Sequence, residues 1–268
     1  MIKLKNSVSF DPSSNRMKIV TDIVKAVEEF KTNKNKNLEY LLSNRFSWMK
    51  KFISENDNGL EVGAGAGFSK KYIKNKNFKI CDFASFDHLD LKNIDAQKTG
   101  LNSESYEFII ASNMLHHVPF PIKFLNEMHR ILKPGGKLII QEAHCSIAFQ
   151  LITIIMRHEG FDFTKNVWDE KLPMTNENDL WAGNIALSSL IFDDKKNFEK
   201  KFRNKFKIVH NKYFEFLIFL NSGGVSSKTF YLPLNYFFLK ILNLIDKFLI
   251  KIFPDIFALG RQIVLKKE

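Results

Sequence analysis

The sequence predicts a doubly wound α/β domain on a mostly parallel sheet, with a mostly helical insertion after its strand–helix core. Short apolar runs at 60–62, 78–81, 106–111 and 137–141 alternate with helical segments, notably 68–74 and 121–132. Alternation of this kind implies a parallel sheet covered on both faces. The first run enters a turn with glycine at alternate positions, Gly63, Gly65 and Gly67, and then a helix. After Glu142 the rhythm changes, and a long stretch follows without a clear strand. Right-handed crossovers bring the carboxyl ends of such strands to one edge, where these sheets bind ligands.

The N-terminal residues 1–58 read as helices. Ile19, Val20, Ile23, Val24, Val27 and Phe30 recur at helix spacing after the candidate caps Ser13 and Ser14. A second helix over 38–53 presents Leu41, Leu42, Phe46, Met49 and Phe52, and the Asn56-Asp57-Asn58-Gly59 cluster stops it. The strand–helix core follows over 59–142, the mostly helical insertion over 143–205, and a last strand pair over 206–268. Within that last part, 206–220 and 261–266 read as strands. Between them lie a Ser222-Gly223-Gly224 turn and an amphipathic helix over 234–253, whose narrow polar stripe is Lys240, Asn243, Lys247 and Lys251. No repeat and no linker divides the chain, so one domain over 1–268 is expected.

With 268 residues, 45% hydrophobic and 26% charged, and only 12 Gly and 7 Pro, the chain is neither disordered nor collagen-like. The net charge of +11 invites a nucleic-acid or membrane reading. Its distribution weakens that: 22 basic against 16 acidic residues over 1–150, and 18 against 13 over 151–268. No block is polarised, and solvated surface lysines are the expectation. Cys81 and Cys145 form no metal or redox spacing, which fits a reducing, cytoplasmic setting. The N-terminus lacks the apolar core of a signal peptide. The most apolar stretch, 234–253, is interrupted by Lys240, Asp246, Lys247 and Lys251. At about 2.5–3.5 kcal/mol per mid-bilayer charge it is not expected to span a membrane.

The turn from Glu61 to Phe68 is the strongest local signal. A side chain at Gly63 or Gly65 would collide with a ligand crossing the strand end, and the N–H groups there can hold a polar group. A dinucleotide fingerprint wants glycine where Phe68 stands, and the acid Glu61 would repel a diphosphate. A carboxylate there suits a cationic or zwitterionic ligand.

Over about residues 40–142 the chain resembles the class I S-adenosylmethionine-dependent methyltransferases, specifically the ubiquinone/menaquinone methyltransferase-like group. Glu61-Val62-Gly63-Ala64-Gly65-Ala66-Gly67 is similar to the first motif, which wraps the methionine part of the cofactor. Asp82, 21 residues after Glu61, matches the acid on the ribose hydroxyls. Asp95-Ala96 resembles the adenine-edge motif, although Asp87 and Asp90 lie nearby. The run Ile109 to His117, with Asn113 at its strand end, resembles the fourth-strand motif. Leu132-Lys133-Pro134-Gly135-Gly136 resembles the turn into the fifth strand. The resemblance implies a Rossmann-like sheet of seven strands with an antiparallel final strand, S-adenosylmethionine as cofactor, and an insertion serving as lid or acceptor pocket. The glycine pair and the amphipathic helix are similar to those of methyltransferases in surface-polysaccharide and secondary-metabolite pathways.

The expected cofactor set is therefore Glu61, Gly63, Ala64, Gly65, Gly67, Asp82, Asp95, Ala96 and Asn113. His117 is the candidate base and His116 a weaker one, since a neutral imidazole can take a proton from an attacking hydroxyl. Packing at a helix start is the competing reading. His158, Trp181 and Asn184 are candidate acceptor contacts, with Glu159, Phe161 and Trp168 beside them. No H-x-E, C-x-x-C or H-E-x-x-H pattern marks a metal site, no Asn-Pro-Pro-aromatic motif marks base methylation, and neither cysteine suits covalent C-methylation.

The expected activity is methyl transfer to oxygen or nitrogen of a small-molecule, saccharide or lipid-linked acceptor. Alternatives are a nucleic-acid methyltransferase, a peripheral membrane protein, and a family member that binds cofactor without catalysis. The 234–253 helix either packs over the sheet or lies on a bilayer. Acceptor and oligomeric state are not encoded in these motifs.

Overall fold

The computed structural model describes residues 2–11, 14, 18–19, 23–32, 35–179, 182–225 and 227–268. Its centre is a sheet of β1 (Gly59–Val62), β2 (Phe78–Ile80), β3 (Tyr106–Ser112), β4 (Leu132–Ala143), β5 (Phe206–Phe214) and β6 (Gly260–Lys267). Their spatial order is β2-β1-β3-β4-β6-β5. The first four run parallel, and β6 runs antiparallel between β4 and β5. Among the described residues this sheet has six strands where seven were expected. Beyond β2 the chain makes a single parallel bridge, Cys81 to Leu91. The Ile80 N–H donates to the Asp90 carboxylate at 2.8 Å, and the Ile80 carbonyl accepts from the N–H groups of Asp90 and Leu91. The edge is thereby satisfied without a further strand.

Strand residues alternate between two cores, as a period of two requires. Ile109, Ala111, Leu138 and Ile140 meet Phe124, Leu125 and Met128 of the Pro121–Ile131 helix on one face, together with Phe192, Phe198 and Phe202. Phe108, Ile110 and Ile139 meet Leu42, Phe46 and Met49 on the other. At the expected 132–136 turn the chain stays in the ladder and bulges: Leu132 pairs with Tyr106, and Lys137 is next to pair, with Phe108.

Several expected elements are corrected. Of the two expected caps, Ser13 lies outside the described residues and Ser14 donates its hydroxyl to the Asp11 carbonyl. Val20 also lies outside them, and Ile19 belongs to a two-residue strand, Lys18–Ile19, paired with Ser227–Lys228. Helices span Ile23–Thr32 and Lys36–Ser47, the latter capped by Asn35, and a tight 3₁₀ turn follows at Trp48–Phe52. In the insertion, helices occupy Ile147–Met156, Leu187–Phe192 and Lys195–Phe202. Described residues between the first two form no helix, and Phe161–Asp162 pairs with Ser7–Val8, a strand where none was expected.

The apolar run 206–220 is likewise not one strand. β5 ends at Phe214, Glu215 turns left-handed at φ +49°, and Leu217–Leu220 is a short helix. Buried Asp246 accepts from the N–H groups of Phe216, Leu217 and Ile218 at 2.8–3.1 Å, which supplies that helix with its cap. Arg45 holds the Glu215 carboxylate through two bonds of 2.8 and 2.6 Å.

The amphipathic helix spans Tyr236–Ile252. It turns Leu239, Asp246 and Ile250 inward, and packs against Lys36–Ser47, Leu217–Leu220, Pro254–Phe257 and β5. It does not bury its broad apolar face over the sheet: Phe237, Phe238, Ile241, Leu244, Ile245, Phe248 and Ile252 are exposed.

Candidate active site

The glycine turn leaves β1 at the carboxyl edge of the sheet. Gly63, Gly65 and Gly67 all adopt left-handed φ, at +64°, +49° and +65°. At Gly63 an added Cβ would lie 2.8 Å from Met114 Cβ, so the turn also has no room there. At Gly65 an added Cβ would meet nothing nearer than Ile23 Cδ1 at 3.8 Å. Packing within the chain therefore does not require glycine at 65, and the open space above it is what a ligand would use. The Ala64 N–H donates to the Cys81 carbonyl, binding the turn to the end of β2.

Asp82 follows directly. Its two oxygens accept from the N–H groups of Gly65 (2.8 Å) and Ala84 (3.0 Å), and a carboxylate keeps further lone pairs for two hydroxyls. Glu61 is placed differently from the open carboxylate expected. It is buried beneath the turn, accepts the Ser69 hydroxyl, and is pushed up to about 8 by burial, against Ser69's hydrogen bond and with help from the charge of Asp82. His88, missed in the sequence, donates from Nε2 to the Gly65 carbonyl at 2.7 Å.

Asp95 accepts from the Gln97 N–H at 2.8 Å, and Ala96 is buried beside it. The Ile94 N–H donates to the Asp82 carbonyl and the Phe120 N–H to Gln97 Oε1, which joins this segment to the turn carrying the histidines. Asp95 also borders an open cavity of about 570 Å³, with Gln97, Phe120 and Lys123. Asn113 ends β3 at φ +50° and donates its N–H to the Gln141 carbonyl.

His116 and His117 occupy a tight turn, Leu115–His117. Buried His116 lies between two carboxylates, with Nδ1 2.5 Å from Glu142 Oε1 and Nε2 3.3 Å from Glu159 Oε2. Burial opposes its charge, but Glu142 and Glu159 outweigh burial and hold its pKa well above the ordinary value. Both carboxyls are lowered in turn, since His116 outweighs their own burial. His117 behaves oppositely: burial, reinforced by the His116 charge, lowers it. Its Nδ1 lies 3.2 Å from the Ala182 carbonyl, which can only accept, so Nδ1 carries the proton and Nε2 the lone pair. That Nε2 lies 3.9 Å from Glu159.

The insertion builds this half of the site. The Asn184 N–H donates to the His116 carbonyl, and the Thr175 hydroxyl to that of His117. At Gly183 an added Cβ would lie 3.0 Å from Glu159 Oε2 and 3.2 Å from His116 Cδ2, so glycine lets the segment close on the pair.

His158 joins the cluster through Glu159 at 3.2 Å. Trp181 lies outside the described residues. Asn184 does not offer its amide to an acceptor. It is buried, accepts from the Asp162 and Ala186 N–H groups and donates to the Asp162 carbonyl. Phe161 is core, and Trp168 donates to Asp194. No metal spacing was expected, yet His116, His117 and Glu159 bring three ligand atoms within 4.8 Å, a set that a divalent ion could take. Glu142 was missed as a site residue. Its signal was an acid at a strand's carboxyl end, the same signal that marked Glu61 and Asp82.

A methyltransferase-domain family model matches residues 33–186, more than half of the chain. The chain is similar to the polyketide synthase component of lovastatin nonaketide synthase from Aspergillus terreus (strain NIH 2624 / FGSC A1156), 29% identical over 107 residues. It is also similar to a tRNA U34 carboxymethyltransferase from Pseudoalteromonas atlantica, 24% identical over 152 residues. These matches cover 31% and 51% of the chain but only 4% and 46% of the relatives, so it spans less than half of either. A SAM-dependent methyltransferase from Archaeoglobus fulgidus shares the fold, with a TM-score of 0.52, 14% identity, and coverage of 92% of this chain and 100% of that one. With its glycine turn, strand-end acids and α/β sheet, the chain belongs to the methyltransferase-domain family.

Proposed function

We propose that the protein methylates oxygen or nitrogen of a small-molecule, saccharide or lipid-linked acceptor, and that it falls in the ubiquinone/menaquinone-like group. The observation that carries this reading is the state of His117, whose Nδ1–H is committed to the Ala182 carbonyl while Nε2 keeps its lone pair. Such a nitrogen can take the proton that a hydroxyl loses as it attacks, or that an ammonium loses before its nitrogen can attack.

S-adenosylmethionine, when bound, supplies a methyl group already activated on a sulfonium sulfur. The 63–67 turn and Glu61 would hold its methionine portion, Asp82 the ribose, Asp95-Ala96 the adenine, and Asn113 the strand-end approach. The space over Gly65 and the buried Glu61 carboxyl beneath the turn fit a zwitterionic ligand. What the chain itself contributes is alignment. The Glu142–His116–Glu159 array fixes the floor beneath His117, and His158 lies at its rim. His117 then accepts the proton at Nε2, and Glu159 stabilises the resulting imidazolium.

Replacing His117 by Ala tests this. Turnover should fall far more than cofactor affinity, whereas equal loss of both would assign His117 a structural role. The tRNA-modifying relative, with the net charge of +11, favours a second reading in which RNA is the acceptor. Binding to RNA that weakens steeply with salt would support it.

A further inference from the structure

We infer that the outward face of the Tyr236–Ile252 helix docks on the surface of an anionic phospholipid bilayer. Along this helix Phe237, Ile241, Leu244, Ile245, Phe248 and Ile252 form one continuous arc. Phe237, Leu244 and Phe248 are 64–65% exposed, which is unusual for side chains of this size in contiguous array. Phe230 and Leu232 extend the apolar surface just before the helix, at 84% and 61% exposed.

Charge selects the occupant. Lys240, Lys247 and Lys251 fall together on one border of the arc, between the apolar face and the inward face of Leu239, Asp246 and Ile250. The helix's one acid, Asp246, is buried on the three N–H groups that it caps, so every exposed charge on the helix is positive. An apolar arc with a lysine border is the pattern that lies in a bilayer interface, apolar side inward and ammonium groups among acidic headgroups. Among the described residues no helix is long and apolar enough to cross a membrane, so docking is parallel to the surface.

The face continues toward the site. Pro254–Phe257 packs on both the amphipathic helix and Ile147–Met156, where Leu151 and Ile155 are exposed. The Ile147–Met156 helix ends at left-handed Arg157, which delivers His158 and Glu159 to His116 and His117. A lipid-linked acceptor would thus reach His117 from the docked side. That link rests on the function proposed above, whereas docking does not, and vesicle binding is read without methyl transfer, so either can fail alone.

The full chain would be sedimented with phosphatidylcholine vesicles, with and without phosphatidylglycerol. Binding should be roughly tenfold stronger with phosphatidylglycerol. The Phe238→Glu/Ile245→Glu variant should lose at least roughly tenfold in partition. The Lys240→Glu/Lys247→Glu/Lys251→Glu variant should fall to the phosphatidylcholine level. All five positions are exposed, and an unchanged thermal midpoint and cofactor affinity confirm the fold. Absence of vesicle binding, or equal binding by wild type and both variants, would overturn the proposal. So would a wild-type dimer that Phe238→Glu/Ile245→Glu dissociates, because a second copy would then own the face.

Discussion

At the 63–67 turn the chain offers a ligand backbone groups, a left-handed turn without side chains and the Asp82 carboxylate. Farther along the same sheet edge, around His116 and His117, it offers titratable side chains drawn from β4 and the insertion. The first region is built from consecutive residues and two neighbouring strand ends, so its shape is fixed by local backbone geometry. The second exists only when Glu142, Glu159 and Ala182 converge on one turn. On the proposed function, this difference teaches that cofactor holding and acceptor activation should be separable by mutation, because they would use different groups held by different parts of the fold.

The largest effect is expected at the acceptor half. His117→Ala should lower kcat by about 10²–10⁴-fold, the usual span for a lost general base, while the Kd for S-adenosylmethionine stays within a few-fold. Steady-state kinetics beside calorimetry would check it, and an affinity loss matching the kcat loss would erase the distinction between the two regions. Gly65→Val should do the reverse. An added Cβ there meets nothing nearer than Ile23 Cδ1 at 3.8 Å, so the fold should survive with about 1–2 kcal/mol of left-handed strain, but cofactor affinity should drop by about 100-fold. A folded Gly65→Val protein with wild-type affinity would break the comparison from the other side.

A finer test concerns Glu61. Its carboxyl, pushed up to about 8, is mostly protonated at pH 7, and an incoming ammonium group would lower it. Cofactor binding at pH 7 should therefore release close to one proton, read as a dependence of binding heat on the buffer's ionisation heat. Glu61→Gln should abolish the release. A wild type that releases no proton would remove Glu61 from the cofactor's ammonium end.

The smallest effect is on stability and lies beside the acceptor half. His144 is fully buried, and burial, followed by the charge of Arg261, lowers it to about 3. Above its ordinary value of about 6.5 both folded and unfolded states are neutral. As pH falls below that value the unfolded chain takes up a proton that the folded chain refuses. Stability from this group is thus present above pH 6.5 and lost toward pH 3, at about 1.4 kcal/mol per pH unit. Urea unfolding between pH 6.5 and 4.5 should show this slope reduced by one proton in His144→Gln, whatever that variant's absolute stability. An unchanged slope would mean that His144 does not resist protonation.

The same contrast explains what was legible in the sequence. Gly63, Gly65, Gly67, Asp82 and Asn113 stand where their spacing predicts, because an apolar run that ends in glycine or an acid announces a strand's carboxyl end. The parallel order followed from strand–helix alternation. What escaped was tertiary. Glu159 stood only beside the candidate acceptor contacts, and the return of the chain through Gly183 is what brings it to His116. The 206–220 run hid a break because its residues are apolar on both sides of Glu215. The partners that make the break, Arg45 and Asp246, come from distant helices. The seventh strand, absent among the described residues, has the same cause, since a side chain, Asp90, takes the Ile80 hydrogen bond that a strand would have made.

The most direct test of the acceptor reading is transfer of an isotopically labelled methyl group from S-adenosylmethionine into a fractionated cell extract, with the product identified by mass. The account predicts label on oxygen or nitrogen of a small, saccharide or organic-soluble lipid product, present with wild type and lost with His117→Ala. Label confined to RNA, label on carbon, or transfer that persists in His117→Ala would contradict it.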